Sequence, residues 1–188
     1  MLMNQNNRKL AAIVFTDIVG FTKLSSEDQT TASELLKQQR ELFQPLVKQF
    51  NGDWVKEIGD GLLIIFNTAT EAVNCCIELQ KVSKGISGLN IRIGIHLGEV
   101  LIENGDVIGD DVNIASRIEP FSAPGGIAIS NKIFDAINRE KEYETKYIGR
   151  PKLKGVIQKV EIFCITSHDL PGTIISDVSG KLEILEKE

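Results

Sequence analysis

The stretch LAAIVFTD, residues 10–17, decides the fold. Its apolar run over 10–15 shows no alternation, turns β-branched at Ile13 and Val14, and passes through Thr16 into Asp17. So short an apolar run predicts a strand buried on both faces, with a polar side chain at its carboxyl end. A loop containing Gly20 follows, and apolar positions then recur at helical spacing over 27–50 (Leu35, Leu36, Leu42, Phe43, Leu46, Val47), with Ser25 and Ser26 as candidate caps. Pro45 is expected to kink or split that helix.

Strand-like runs over 53–58 and 62–66 flank Gly59-Asp60-Gly61. Asp-Gly suits turns that need positive φ, so the segment reads as a hairpin with Asp60 at its tip. Residues 68–82 predict a second amphipathic helix, and the alternation over 89–97 a strand with one covered face. A small hairpin is expected around Asn104-Gly105. Beyond it come a helix over 110–121 stopped by Pro120 and Pro124, a strand over 127–129 and a helix capped by Ser130. Residues 143–148 and 160–165 predict a closing hairpin, connected through 151–155. The order of strand, helix, hairpin, helix and strand predicts an α+β fold with a ferredoxin-like βαββαβ core, helices on one face, and further strands and a helix at the carboxyl end. The expected division is an N-terminal extension over 1–9, one domain over 10–166, and a tail or linker over 167–188, where Pro171, Gly172 and Gly180 break the pattern.

The chain has 188 residues and a formal charge of −5, from 21 basic and 26 acidic side chains, without a basic stripe. That balance argues against a nucleic-acid polymer as partner, so any polyanion must be met locally by metal ions and a few placed cations. The longest apolar run is far too short to cross a bilayer, and the polar start over 4–9 lacks the apolar stretch of a signal peptide. The expectation is a cytoplasmic chain with no membrane contact of its own. Cys75, Cys76 and Cys164 are odd in number and lack metal-ligand spacing, so they predict reduced thiols rather than a disulfide framework or a zinc site.

Asp17 and Asp60 fall at the ends of neighbouring strands and have the character of a pair binding Mg²⁺ or Mn²⁺, hard ions that take carboxylate oxygens and share their shell with phosphate and water. On spacing alone the pair reads equally as a strand-end acid and a turn-forming aspartate. Between them the loop through Gly20, Phe21 and Thr22 offers backbone N–H groups to phosphate oxygens. It lacks the Gly-Lys-Ser/Thr ending of a P-loop.

Three segments, FTDIVGFT (15–22), VKEIGDG (55–61) and DVIGDDVNIASR (106–117), resemble in order and spacing the successive signatures of class III adenylate and guanylate cyclases. The resemblance runs over about 10–165. It implies the class III cyclase fold and a site shared between two antiparallel subunits of a homodimer. Asp17 and Asp60, with the Ile18 carbonyl, match the family's ligands for two metal ions, Mg²⁺ or Mn²⁺. One ion would lower the pKa of the ribose 3′-hydroxyl and the other would hold the β- and γ-phosphates. From the opposite subunit, Asn113 matches the residue that orients the ribose and Arg117 the one that stabilises charge on the pentavalent transition state. They lie one helical turn apart on one face. Lys154 matches the lysine that neutralises the terminal phosphates, and the same lysine also reads as a solvated loop residue. Lys56 and Asp106 match the pair that reads adenine, with lysine donating to ring N1 and aspartate accepting from the 6-amino group. Guanine presents the reverse pattern, so the implied substrate is ATP.

Glu99 departs from the family where some members carry an arginine, which predicts a lower rate or a different path for pyrophosphate. His96 reads as a strand side chain rather than a general base, and Trp54 as a packing residue at the core or a subunit boundary. A diguanylate cyclase would need a Gly-Gly-acid-acid-Phe hairpin where this chain has Ile58-Gly59-Asp60-Gly61. The reading is therefore an adenylate cyclase domain that forms cyclic AMP and pyrophosphate, with a regulatory domain in a longer protein left open. The alternative is a cyclase-like module that binds nucleotide or dimerises without catalysis.

Overall fold

A computed structural model describes residues 7–182. Residues 1–6 of the expected N-terminal extension and 183–188 of the expected tail lie outside the described residues. Strand β1 (Arg8–Ile18) is central, and residues 11–14 of its apolar run are buried on both faces, whereas Leu10, which opens the run, is exposed. Helix α1 (Phe21–Glu27) is short and is followed at once by α2 (Gln29–Gln49). Ser25 and Ser26 fall inside α1, and the cap of α2 is Asp28, whose carboxylate accepts the Thr31 N–H at 3.1 Å. Helix α2 also passes Pro45 without a break, because that residue is exposed and water can satisfy the carbonyl the ring leaves free.

The hairpin of β2 (Asp53–Ile58) and β3 (Gly61–Phe66) pairs through β3 with β1. Helix α3 (Ala69–Ser83) follows, capped by Thr68. Strand β4 (Ile91–Glu103) joins the strand expected over 89–97 to the first arm of the next hairpin, and β5 (Asp106–Ile108) folds back on it. Helix α4 (Asp110–Ile118) ends in a 3₁₀ turn (Glu119–Phe121), where Pro120 is admitted because an N-terminal turn position needs no amide hydrogen. Strand β6 (Ile127–Ser130) lies parallel to β4, α5 (Asn131–Ile137) follows, and β7 (Thr145–Gly149) and β8 (Ile162–Ile165) close the sheet. The strand order is β2-β3-β1-β4-β6-β8-β7, with β5 on β4.

The two faces of the sheet carry different helices. Ala12 and Val14 of β1 pack with Phe43 of α2, Val73 of α3 and Ile133 of α5. Ala11 and Ile13, on the alternate face, pack with Ala115 of α4. The expectation of helices on one face thus holds for α2, α3 and α5, whereas α4 covers the other. The strand predicted to have one covered face is covered on both, and Gly94, His96 and Gly98 face α4.

The segment from Ser167, expected to run off as a tail or linker, is held against the body over its described part. The Thr173 hydroxyl donates to the Phe121 carbonyl at 2.7 Å, Lys181 Nζ donates to the Pro120 carbonyl at 2.8 Å, and Val178 of α6 (Ile175–Leu182) is buried. Pro171 and Gly172 hid this docking because they break local periodicity without preventing side chains further on from reaching a core. Among the described residues no helix is long and apolar enough to cross a membrane. Cys75, Cys76 and Cys164 are free and buried.

Candidate active site

Strand register places the two acids. Thr16 of β1 pairs with Leu62 of β3, which sets Asp17 opposite Gly61 and next to the Asp60 turn. Gly61 is required there, since a Cβ would stand 2.7 Å from the Thr16 carbonyl oxygen. Asp60 Oδ2 then accepts the Ile18 N–H at 2.7 Å, and buried Gln39 of α2 donates to the Asp60 carbonyl at 3.4 Å. Both acids line one cavity of about 190 Å³, with Thr16, Ile58, Ser116 and Glu119 among the other walls. Asp17 Oδ1 is buried there without a hydrogen-bond partner. An unpartnered carboxylate oxygen beside a second carboxylate is a donor set that fits a hard divalent ion. Among the described residues no group of three or more His, Cys, Asp or Glu is arranged to hold a metal.

Glu119 is an acid the motif reading did not single out. It is buried, with Oε1 unpartnered, and it faces Asp17. Burial first, and the facing Asp17 second, push its carboxyl up to about 9, so that Glu119 is protonated at neutral pH. Helical spacing held the signal, because Ala115, Ile118 and Glu119 share the buried stripe of α4 and its end.

A second and larger groove, about 650 Å³, opens between the β2–β3 hairpin, β5 and α4. Lys56 and Asn113 both line it. Lys56 Nζ lies 2.9 Å from Asp106 Oδ1, and that hydrogen-bonded ion pair, with the Val107 N–H next, holds the Asp106 carboxyl below the usual carboxylate range. Exposed Ile58 and Ile108 form the apolar part of its rim. Asn113 and Arg117 are exposed on α4, and neither side chain has a bonding partner among the described residues. Arg117 lines neither cavity.

Lys154 is exposed in the β7–β8 connection, apart from both cavities. Gly20 takes φ +75° and turns the chain into α1, leaving the first amides, those of Phe21 and Thr22, without intrahelical acceptors. Glu99 pairs at the surface with Arg8 at 3.4 Å, and half-buried Trp54 packs against the main core. His96 is buried; its Nδ1 meets Ser130 Oγ at 2.8 Å and its Nε2 meets Asp111 Oδ1 at 2.9 Å. Burial outweighs Asp111 and lowers the pKa of His96.

Comparison with known proteins places the fold. The family described as the adenylate and guanylate cyclase catalytic domain matches residues 3–167. A protein of Rhizobium meliloti (strain 1021) that carries an adenylate cyclase name is 32% identical over an alignment of 170 positions that covers 86% of this chain. The chain spans 29% of that relative's length, and 19% and 11% of two further curated relatives. Among solved structures, an adenylate/guanylate cyclase/hydrolase from Silicibacter pomeroyi superposes with a TM-score of 0.77 at 31% identity, covering 87% of this chain and 98% of that one. A guanylate cyclase domain from Catenaria anguillulae, solved with GTP, gives 0.76 at 27% identity, covering 85% and 97%.

Proposed function

We propose that this chain, which belongs to the adenylate and guanylate cyclase catalytic domain family, cyclises ATP to 3′,5′-cyclic AMP and pyrophosphate at sites shared across a homodimer. The observation that carries the reading is that one chain sets two acids in a single cavity and, in the groove beside it, a lysine ion-paired to Asp106, the two together having the hydrogen-bonding polarity that matches adenine. Asp17 and Asp60 would hold two divalent ions, Mg²⁺ or Mn²⁺, whose shells phosphate and water complete. Such ions, when bound, supply positive charge to the triphosphate and acidity to the ribose 3′-hydroxyl.

The remaining work falls to side chains. Lys56 donates to adenine N1 and Asp106 accepts from the 6-amino group, and each occupies the other until the base arrives. A carboxyl held below its usual range stays an acceptor at neutral pH, which the amino group of adenine requires and O6 of guanine would oppose. The ribose oxygen attacks the α-phosphorus in line as its proton leaves to water, and the bond to the pyrophosphate oxygen breaks. Asn113 orients the ribose, and the Arg117 guanidinium forks onto the phosphoryl oxygens as charge builds. Lys154 and the amides after Gly20 bind the outgoing phosphates.

Two features support a second subunit. Asn113 and Arg117 stand exposed without partners among the described residues, and apolar Ile58 and Ile108 are exposed at the groove that Asn113 lines. We take the catalytic unit to span 10–166, with regulatory input outside it. Reduced thiols and a nucleoside triphosphate substrate both fit the cytoplasm. The test is cyclic nucleotide production from ATP and from GTP, with Mg²⁺ or Mn²⁺, over a range of protein concentrations. Cyclic AMP in excess, with specific activity rising with concentration, is the expected result. No product from a folded dimer would move the reading to a non-catalytic nucleotide-binding module.

A further inference from the structure

Helix α4 carries Asn113 and Arg117, and its seat on the sheet is unusual in resting on glycines. Gly94, His96 and Gly98 share one face of β4 by strand alternation. A Cβ on Gly94 would overlap the Glu119 backbone at the end of α4, and one on Gly98 would overlap the Asp111 side chain in its first turn. Backbone thus approaches β4 closely just past the end of α4, and at its start the Asp111 side chain fills the space a Cβ on Gly98 would need. The side chain that stands between those two contacts is His96.

His96 is 1% exposed and bonds in two directions. A carboxylate only accepts, so Nε2 donates to Asp111 Oδ1 at 2.9 Å, and Nδ1 accepts from the Ser130 hydroxyl at 2.8 Å. Ser130 is fully buried at the start of α5, where it holds the N-cap position, yet it makes no side-chain cap bond; its hydroxyl is given to His96 instead. The other Asp111 oxygen accepts the Glu99 N–H at 3.0 Å. The first turn of α4 is thus tied to β4 twice and, through the imidazole, to β6. Asp111 precedes Asn113 by two residues and Arg117 by six.

We propose that His96 is a positioning residue for the reaction: acting through Asp111, it fixes the first turn of α4 on the sheet and so sets the reach of Asn113 and Arg117 into the neighbouring subunit's acid cavity. The inference rests on the shared-site reading above. It assigns His96 no contact with substrate and no proton transfer, in keeping with its burial.

Two substitutions separate its two bonds. His96→Gln keeps a donor near the Nε2 position and hence the tie to Asp111. His96→Asn keeps only the shorter reach toward Ser130. For a displacement of the α4 side chains by about 1 Å, kcat of the Asn variant should fall roughly 10- to 100-fold while KM for ATP changes little, and the Gln variant should stay within about threefold of the parent. Equal losses in both variants, or a change confined to KM, would overturn the inference.

Mixed dimers supply a readout that general loss of stability would not move. A chain bearing Asp17→Ala keeps α4 but lacks an acid, and a chain bearing Arg117→Ala keeps the acids but lacks the arginine; each is inactive alone and together they form one complete site. His96→Asn added to the Asp17→Ala chain should slow that site roughly 10- to 100-fold. Added to the Arg117→Ala chain, it should leave the rate within about threefold, because that chain's α4 faces a dead site. Equal slowing in both arrangements would refute a positioning role. If the two parents fail to complement despite shown subunit exchange, the shared-site reading fails, and the kcat contrast between the Gln and Asn variants still decides whether His96 acts through Asp111.

Discussion

The acid cavity and the larger groove beside it lie on one chain and share Phe15, Ile58 and Ser116, yet they are finished to different degrees. The acids are held from within: Asp60 by the Ile18 amide and Gln39, Asp17 by a strand buried on both faces. Around the groove, Lys56 and Asp106 pair with each other, Asp106 also accepting the Val107 N–H, while Asn113 lines the groove and Arg117 sits further along the same helix, neither side chain with a partner among the described residues. A side chain with no partner in its own subunit costs little to leave in water and gains most when a second surface arrives. On the shared-site reading proposed above, one chain completes the half of the site that needs rigid, closely spaced charges and leaves open the half that a partner would order.

The hardest blow to this contrast is removal of an acid. Asp17→Ala or Asp60→Ala should lower cyclic AMP formation by about 10³-fold or more, since several kcal/mol of charge stabilisation goes with the ions, while circular dichroism stays that of the parent. Near-parental turnover in either variant would sink the assignment of that cavity. Arg117→Ala should cost roughly 10²- to 10³-fold in kcat with little change in KM, and activity should return when it is mixed with Asp17→Ala. Without that return, under proven exchange, the open half of the site is not completed by a second subunit.

A smaller effect tests the groove. Lys56→Ala or Asp106→Ala should lower kcat/KM for ATP about 10- to 100-fold and narrow the preference over GTP, read from parallel assays. An unchanged ATP-to-GTP ratio would mean that the base is read elsewhere. The smallest effect concerns the seat of α4. Burial holds His96 below its usual pKa against the opposing pull of Asp111 on α4, with Lys132 of α5 adding to the lowering. A group whose folded pKa is depressed contributes stability in full above the unfolded value of about 6.5 and loses it as pH falls toward the folded value. The melting temperature of the parent should therefore drop more between pH 8 and pH 5.5 than that of His96→Gln; identical slopes would show that His96 stays uncharged for another reason or is not linked to folding.

Much of this was legible along the chain. The apolar run before Asp17 and the Asp-Gly turn at Asp60 are local features, because burial pattern and turn chemistry act over a few neighbouring residues. Lys56 and Asp106 were paired only by resemblance, and the ion pair between β2 and β5 puts them together in space. Gln39, Glu119 and Asp111 were not singled out, and His96 and Ser130 were read as a strand side chain and a helix cap without the bond between them. Each is a polar group whose partner lies on another element, and nothing in local spacing announces which backbone carbonyl or carboxyl it will meet. The docking of the segment after Ser167 was hidden for the same reason: Thr173 and Lys181 find carbonyls at Phe121 and Pro120, far away in the chain.

Strand and helix periods, turn residues and the spacing of the acids were thus set by composition and order alone, since they follow from covalent geometry and from which side chains avoid water. The face of the sheet that α4 covers was not. It depended on Gly94 and Gly98 lying beneath the helix, and close approach between elements remote in sequence becomes a physical constraint only once the chain has packed.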